Sequence, residues 1–150
     1  MNTWHGEQNV QLQMILEENE QVFHVGDSVK LVGGFRNLST SPVWLDGRIA
    51  YKVHLNLKVT DINGHEVEFP GSRLKIRLAP PTKDDFVKLA SGTMLLRSDI
   101  TNGNLKFEQP GTYTISLSGS HGSSESYAMS FGISLGSIGK SAQITVRIVV

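Results

Sequence analysis

The stretch Phe107-Glu108-Gln109-Pro110-Gly111-Thr112-Tyr113-Thr114-Ile115-Ser116-Leu117-Ser118 decides the fold class. A Pro-Gly pair turns the chain, because proline fixes its own φ and glycine accepts the positive φ that the next turn position often requires. From there Tyr113, Ile115 and Leu117 alternate with Thr112, Thr114, Ser116 and Ser118. This period of two is the mark of a half-buried β-strand.

The same pattern recurs on both sides of that strand. Val10, Leu12, Met14 and Leu16 alternate with Gln11 and Gln13, giving a first strand ended by the acidic run Glu17 to Glu20. Phe23-x-Val25-Gly26-Asp27 turns into a second strand with Val29, Leu31 and Phe35, where Gly33-Gly34 signals a bulge or a close backbone approach. Val43-Trp44-Leu45 makes a short strand before the Asp46-Gly47 turn. Tyr51 to Thr60 alternates without a break, placing His54 on the polar, exposed face. Asn63-Gly64 is a hairpin signal, since both residues tolerate left-handed φ, and Glu66 to Phe69 forms the return strand. Leu74, Ile76 and Leu78 alternate with Arg73, Lys75 and Arg77 until Pro80-Pro81. Lys83 to Leu89 is the one place for a helical turn. Thr93 to Ile100 and Leu105 to Phe107 lead into the central stretch, and Ala142 to Val150 is the last strand. Strands at this spacing, with uneven turns and no long segment of helical period, predict a single all-β domain: a two-sheet antiparallel β-sandwich over residues 9–150, preceded by an N-terminal tail, 1–8. A Gly/Ser-rich loop over 119–141 is its longest connection.

Composition narrows the function. The 150 residues suffice for one domain with a full core. Fourteen Lys and Arg balance fourteen Asp and Glu, so no net field favours nucleic acid or an anionic membrane. The absence of cysteine removes disulfides, thiolate metal sites and cysteine nucleophiles. Residues 1–8 carry no basic and apolar signal-peptide regions, which fits a cytoplasmic protein or an exported one whose leader has been removed. No apolar run reaches the length of about 20 residues that a membrane helix needs, so no membrane insertion is expected.

Leu105-x-Phe107-x-x-Pro110-Gly111-x-Tyr113-x-Ile115 resembles the corner before strand F of immunoglobulin-like domains, where a tyrosine hydroxyl ties the corner back to the backbone. Phe23-x-x-Gly26-Asp27-x-Val29-x-Leu31, then Phe35-Arg36-Asn37-x-Ser39-x-x-Pro42-Val43, is similar to the opening of bacterial immunoglobulin-like modules. Leu55-x-Leu57-x-Val59-x-Asp61-x-Asn63-Gly64-x-Glu66-Val67 resembles their central hairpin, and Gly139-Lys140-Ser141-x-x-Ile144-x-Val146 their final strand. Leu89-Ala90-Ser91-Gly92-Thr93 stands at the place of their Leu-x-Pro-Gly turn, with serine in the proline position. The bacterial intracellular proteinase inhibitor family shares this layout from Val10 to Val150. The resemblance implies an immunoglobulin-like sandwich; its motifs concern architecture and transfer no functional residue.

Chemical motifs are sparse. Gly132-Ile133-Ser134-Leu135-Gly136 matches the G-x-S-x-G elbow in letters only: it lies in the Gly/Ser-rich segment, and no histidine follows Ser134. Gly139-Lys140-Ser141 lacks the first glycine and the following helix of a phosphate loop. Asp61-x-Asn63-Gly64 has His65 and Glu66 where a calcium loop needs a ligand and a glycine, and reads as a turn. Asp84-Asp85 reads as a solvated loop. The five histidines show no ligand spacing, and the basic row Arg73, Lys75, Arg77 with Lys52 and Lys58 reads as a solvated face. Asn37-Leu38-Ser39 is a glycosylation sequon by pattern.

These readings predict no catalytic or metal-binding residue, no cofactor and no nucleic-acid partner. Loops on a rigid scaffold carry the binding surfaces of sandwiches, so the expected function is a non-catalytic binding or structural module that recognises a protein or glycan through its end loops. His121, Tyr127 and Phe131 are the candidate contact residues. The alternation Tyr127, Met129, Phe131, Ile133 fits an edge strand equally well. The alternative function is proteinase inhibition of the intracellular proteinase inhibitor type.

Overall fold

The computed structural model describes residues 10–18, 20, 22–70, 72 and 75–150. The expected tail, 1–8, and the predicted strand residues Arg73 and Leu74 lie outside them. The chain is mostly β and forms one small domain. Its strands are β1 (Leu12–Glu18), β2 (Val22–His24), β3 (Leu31–Asn37), β4 (Val43–Asp46), β5 (Leu55–Thr60), β6 (Phe86–Leu89), β7 (Met94–Arg97), β8 (Gly111–Gly119) and β9 (Ala142–Val149). One helix, α1 (Ser124–Ser130), lies between β8 and β9.

Strand β8 is central to the larger sheet, ordered β2-β9-β8-β5. It runs antiparallel to β9 from Gly111 opposite Ile148 to Leu117 opposite Ala142, and to β5 from Thr114 opposite Thr60 to Gly119 opposite Leu55. The second sheet is ordered β1-β3-β7, and a two-stranded ladder pairs β4 with β6. All pairs are antiparallel except β2 with β9, which run parallel. The alternation is honoured: Tyr113, Ile115 and Leu117 of β8 are buried against Leu12, Met14 and Leu16 of β1, Leu31 and Phe35 of β3, and Val146 and Ile148 of β9. The core thus draws side chains from both larger sheets, with Val43, Leu45 and Leu89 of the β4–β6 ladder added to it. Its driving force is the removal of these side chains from water, about 1.5–3 kcal/mol for each large aliphatic.

Two local features tighten it. Tyr113 donates its hydroxyl to the Gln109 carbonyl at 2.8 Å, and its ring lies against Phe107 with centroids 4.3 Å apart. This is the corner expected from the sequence. The Gly33-Gly34 pair marks a close approach, with the β1–β3 register running on without an extra residue. A Cβ on Gly34 would strike the Leu95 carbonyl oxygen and lie 2.9 Å from Leu96 Cα on β7. On Gly33 it would come 2.7 Å from Leu117 Cδ2, across the core from β8.

Several expectations are corrected. The strand predicted over Tyr51 to Thr60 begins only at Leu55, because Lys52 takes φ +73° and the Ala50 carbonyl gathers the amides of Val53, His54 and Leu55 into a turn. Residues 75–80 are irregular, so Lys75 and Arg77 sit on no sheet face. The return from Asn63-Gly64 is an isolated bridge between Glu66 and Thr60. The helical turn is confined to Lys83–Asp85, closed by a Thr82/Asp85 capping box, and Phe86 to Leu89 is strand. Residues 119–141 form neither an open loop nor an edge strand: they hold α1 and then an extended segment.

Gly34→Ala should lower stability by about 1–3 kcal/mol, because β3 and β7 must part to admit a methyl group against backbone. Tyr113→Phe should cost about 1 kcal/mol, the net worth of one hydrogen bond. Urea unfolding checks both, with a lowered midpoint at an unchanged slope; a Gly34→Ala protein of wild-type midpoint would contradict the close pairing of β3 with β7.

Candidate functional site

Where β4 ends, β5 begins and α1 starts, three buried polar side chains meet a partly exposed arginine. Asp46 closes β4 and is buried. Its carboxylate accepts from the Arg48 backbone amide (3.0 Å, Oδ1), from Arg48 Nε (3.0 Å, Oδ1) and from the terminal guanidinium nitrogen (2.7 Å, Oδ2). Ser124, the first residue of α1, donates its hydroxyl to Asp46 Oδ2 at 2.8 Å. His54 was expected on an exposed face and is instead 2 % exposed. Its Nε2 lies 3.1 Å from Ser124 Oγ and 3.5 Å from Asp46 Oδ2. Its Nδ1 accepts from the Ala50 amide at 3.0 Å, which leaves the ring proton on Nε2.

The charge states follow from these contacts. Burial alone would raise the Asp46 carboxyl, but the hydrogen bonds from Arg48 and Ser124 and the nearness of His54 outweigh it and hold the group below its ordinary value. Burial lowers the His54 imidazole more than the Asp46 carboxylate lifts it, and Arg48 and His121 press the same way as burial. At neutral pH the His54–Asp46 contact therefore joins a neutral ring to a carboxylate.

Serine, histidine and aspartate in one cluster invite comparison with a nucleophilic triad, and the order is wrong for it. There the carboxylate orients Nδ1 and the serine meets Nε2. Here Nδ1 is taken by a backbone amide, the serine bridges histidine to carboxylate, and all three side chains are sealed from substrate. Ser134, the other serine considered, is exposed just after the C-terminus of α1, with Gly132 at φ +73°. That helix-to-coil turn is the reverse of a strand-to-helix elbow.

The cluster holds a strap, residues 119–141. Ser120 donates its amide to the His54 carbonyl at 3.0 Å; α1 follows, and then Gly136 donates to the Trp44 carbonyl on β4 at 2.9 Å and Gly139 to the Leu12 carbonyl on β1 at 2.9 Å. The strap is thereby tied to the turn before β5, to β4 and to β1. Inside it α1 buries its small residues, Ser124 and Ala128, and Ala128 joins Phe86 and Ile133 in a satellite apolar cluster with Trp44, Phe131 and Leu135 at its margin. The sequence-predicted contact residues take different places. Phe131 packs edge-on against Phe86, centroids 6.2 Å apart. His121 is half-buried, its Nε2 2.6 Å from the Gly136 carbonyl oxygen. Tyr127 faces solvent. Met129, which the sequence reading did not single out, is 73 % exposed.

A second buried polar group settles the sequon. Asn37 is fully buried: its amide donates to the carbonyls of Ser41 (2.9 Å) and Leu89 (2.8 Å), and its oxygen accepts from the Ser39 amide and hydroxyl, each at 2.8 Å. Every donor and both lone pairs are used, and no atom is open to a glycosyl group. Asp61 is similarly occupied, Oδ1 accepting the amides of Asn63 and His65 at 2.9 Å, which makes the stretch a turn. Among the described residues no helix is long and apolar enough to cross a membrane.

No family model matches the chain, and no curated protein matches it. Among solved structures it is similar to part of the β-glucosidase of Listeria innocua. The likeness to the enzyme alone has a TM-score of 0.42 at 10% identity, covering 93% of this chain and 16% of that one. To the same enzyme in complex with isofagomine the TM-score is 0.41, with the same identity and coverage. This chain spans only that small share of the enzyme's length, and the likeness implies no catalysis here.

Asp46→Asn should cost about 2–3 kcal/mol, because one end of the replacement amide turns donors toward Arg48 or Ser124. Asn37→Ala should cost about 1–3 kcal/mol by stranding the carbonyls and amide it serves. Denaturant titration reads both. Produced in a eukaryotic secretory host, the folded protein should carry no glycan at Asn37 by intact mass; a glycosylated, stably folded form would refute this placement.

Proposed function

We propose that the chain is a non-catalytic immunoglobulin-like β-sandwich module that recognises a protein through the strap at one end of its sheets. The Tyr113 corner, the central position of β8 and the shared core of the two larger sheets support the immunoglobulin-like assignment. A single observation carries the binding role. Helix α1 is clamped from below by the buried contacts of Ser124 and Ala128 while it holds Met129 and Tyr127 out in water. A short helix that buries its small residues and exposes its large ones gains little stability from the exposed face. Such side chains on a fixed backbone suit an interface, where little ordering remains to oppose binding. Methionine and tyrosine are enriched at protein interfaces, and methionine adapts to irregular partners.

A photo-crosslinking amino acid at position 129, compared with one at position 62, tests this in cells of the source organism. Ile62 is 80 % exposed beyond the far end of β5 and serves as the control. Position 129 should give a defined protein adduct that Tyr127→Ala weakens and position 62 does not share. An adduct at 62 alone would move the site to the opposite end of the sandwich, and a glycan-array signal lost in Met129→Asp would replace the protein partner with a carbohydrate.

A further inference from the structure

We propose that the buried junction of His54, Ser124 and Asp46 is an acid-operated latch, closed at neutral pH, whose opening on acidification frees residues 121–136 from the corner between β4 and β5. The geometry makes His54 intolerant of a second proton. Nδ1 is the only ring atom free to take one, and it already accepts from the Ala50 amide at 3.0 Å. Protonation there sets one N–H against another, inside a turn whose Ala50 carbonyl already gathers three amides.

The groups facing the ring do not offset this. From β4 comes Asp46, the nearest carboxylate, which Arg48 and Ser124 already satisfy. From the turn after β4 comes the Arg48 guanidinium, itself under the field of Asp85. From the strap comes His121, and from α1 the uncharged Ser124. Arg48 and His121 both oppose a charge on His54. The remaining described histidines differ in kind. His24 and His65 are exposed, each 3.7 Å from a carboxylate, and His121 directs its Nε2–H to the Gly136 carbonyl.

The segment released is weakly held elsewhere. Beyond the latch, residues 121–136 are held by the satellite cluster of Phe86, Ala128 and Ile133 and by one bridge to β4, Leu135 beside Trp44 with the Gly136 amide on the Trp44 carbonyl, and none of them enters the main core. Local opening draws on such low-stability units. Because burial depresses His54 below its ordinary value, the open form binds the proton more readily. Latching is therefore complete above about pH 6.5, the ordinary histidine value. It weakens as pH falls below that, by up to about tenfold in the opening equilibrium per pH unit until the folded value is reached. Opening uncovers Phe86 and Ile133. The latch acts on the strap whether or not the strap binds a partner.

Native-state hydrogen exchange of the full chain at about pH 7.5 and about pH 5.5, corrected for intrinsic rates, brackets the histidine range. Peptides from 121–136 should show an opening population larger at the lower pH, by up to about tenfold, with β8 and β9 unchanged. In His54→Asn the side-chain oxygen can take the place of Nδ1 without titrating, and the pH difference should vanish. Ser124→Ala should raise opening at both pH values and keep the difference. Equal opening of the wild type at both pH values, an increase shared by β8 and β9, or a difference that survives in His54→Asn would each overturn the latch. If His54→Asn does not fold, the wild-type comparison alone decides.

Discussion

A carboxylate shut away from water must have its charge answered on the spot, and in this protein that constraint falls on Asp46. The cost of stripping water from one ion is several kcal/mol, and only well-directed donors recover it. Asp46 finds them in the guanidinium and amide of Arg48, two residues on, and in the hydroxyl of Ser124, far away in sequence. The first partner is local. The second commits the strap. Once Ser124 answers the carboxylate, α1 begins at that corner, and the chain must cross Trp44 on β4 and Leu12 on β1 before it can re-enter the sheet as β9.

Asn37 performs the matching task at the other end of the β4–β6 ladder. It closes β3 and reaches the Leu89 carbonyl, at the last residue of β6, so that one end of the two-stranded ladder is tied to β3 by a fully satisfied amide and the other to the strap by a charge-balanced carboxylate, while Val43, Leu45 and Leu89 join the main core. Neither junction adds much net stability, since each exchanges hydrogen bonds with water for hydrogen bonds within the protein. Their effect is directional. Apolar contacts tolerate sliding, whereas four hydrogen bonds on one asparagine fix a single arrangement.

The contrast between what the sequence reveals and what it hides follows the range of the interactions. β8, the Tyr113 corner and the close approach at Gly33-Gly34 were legible because period-two burial, a Pro-Gly turn and a missing Cβ are each written within a few residues. His54 was not. The alternation over Tyr51 to Thr60 is real on paper, but Lys52 in a left-handed conformation breaks the strand, and the ring turns inward to partners near positions 46 and 124. α1 misled for a subtler reason. Its large residues, Tyr127 and Met129, alternate as in a strand, while the signal that mattered was the spacing of Ser124 and Ala128, two small residues one helical turn apart. A helix that buries its small side chains inverts the hydrophobic pattern by which helices are recognised. The exposed methionine escaped notice because an alternating strand reading left it no face of its own.

This inversion bears on where function can reside. In the main core, stability comes from many interchangeable apolar contacts, and no single proton alters it. In the strap, a small apolar cluster contributes little and the buried polar contacts are few, so setting one of them against a second proton can shift the balance. Local stability set by few interactions is what allows a segment to move while the scaffold stays folded. The large side chains that α1 withholds from the core stand on this same segment, so the proposed latch would couple their setting to the state of a ring buried beneath it.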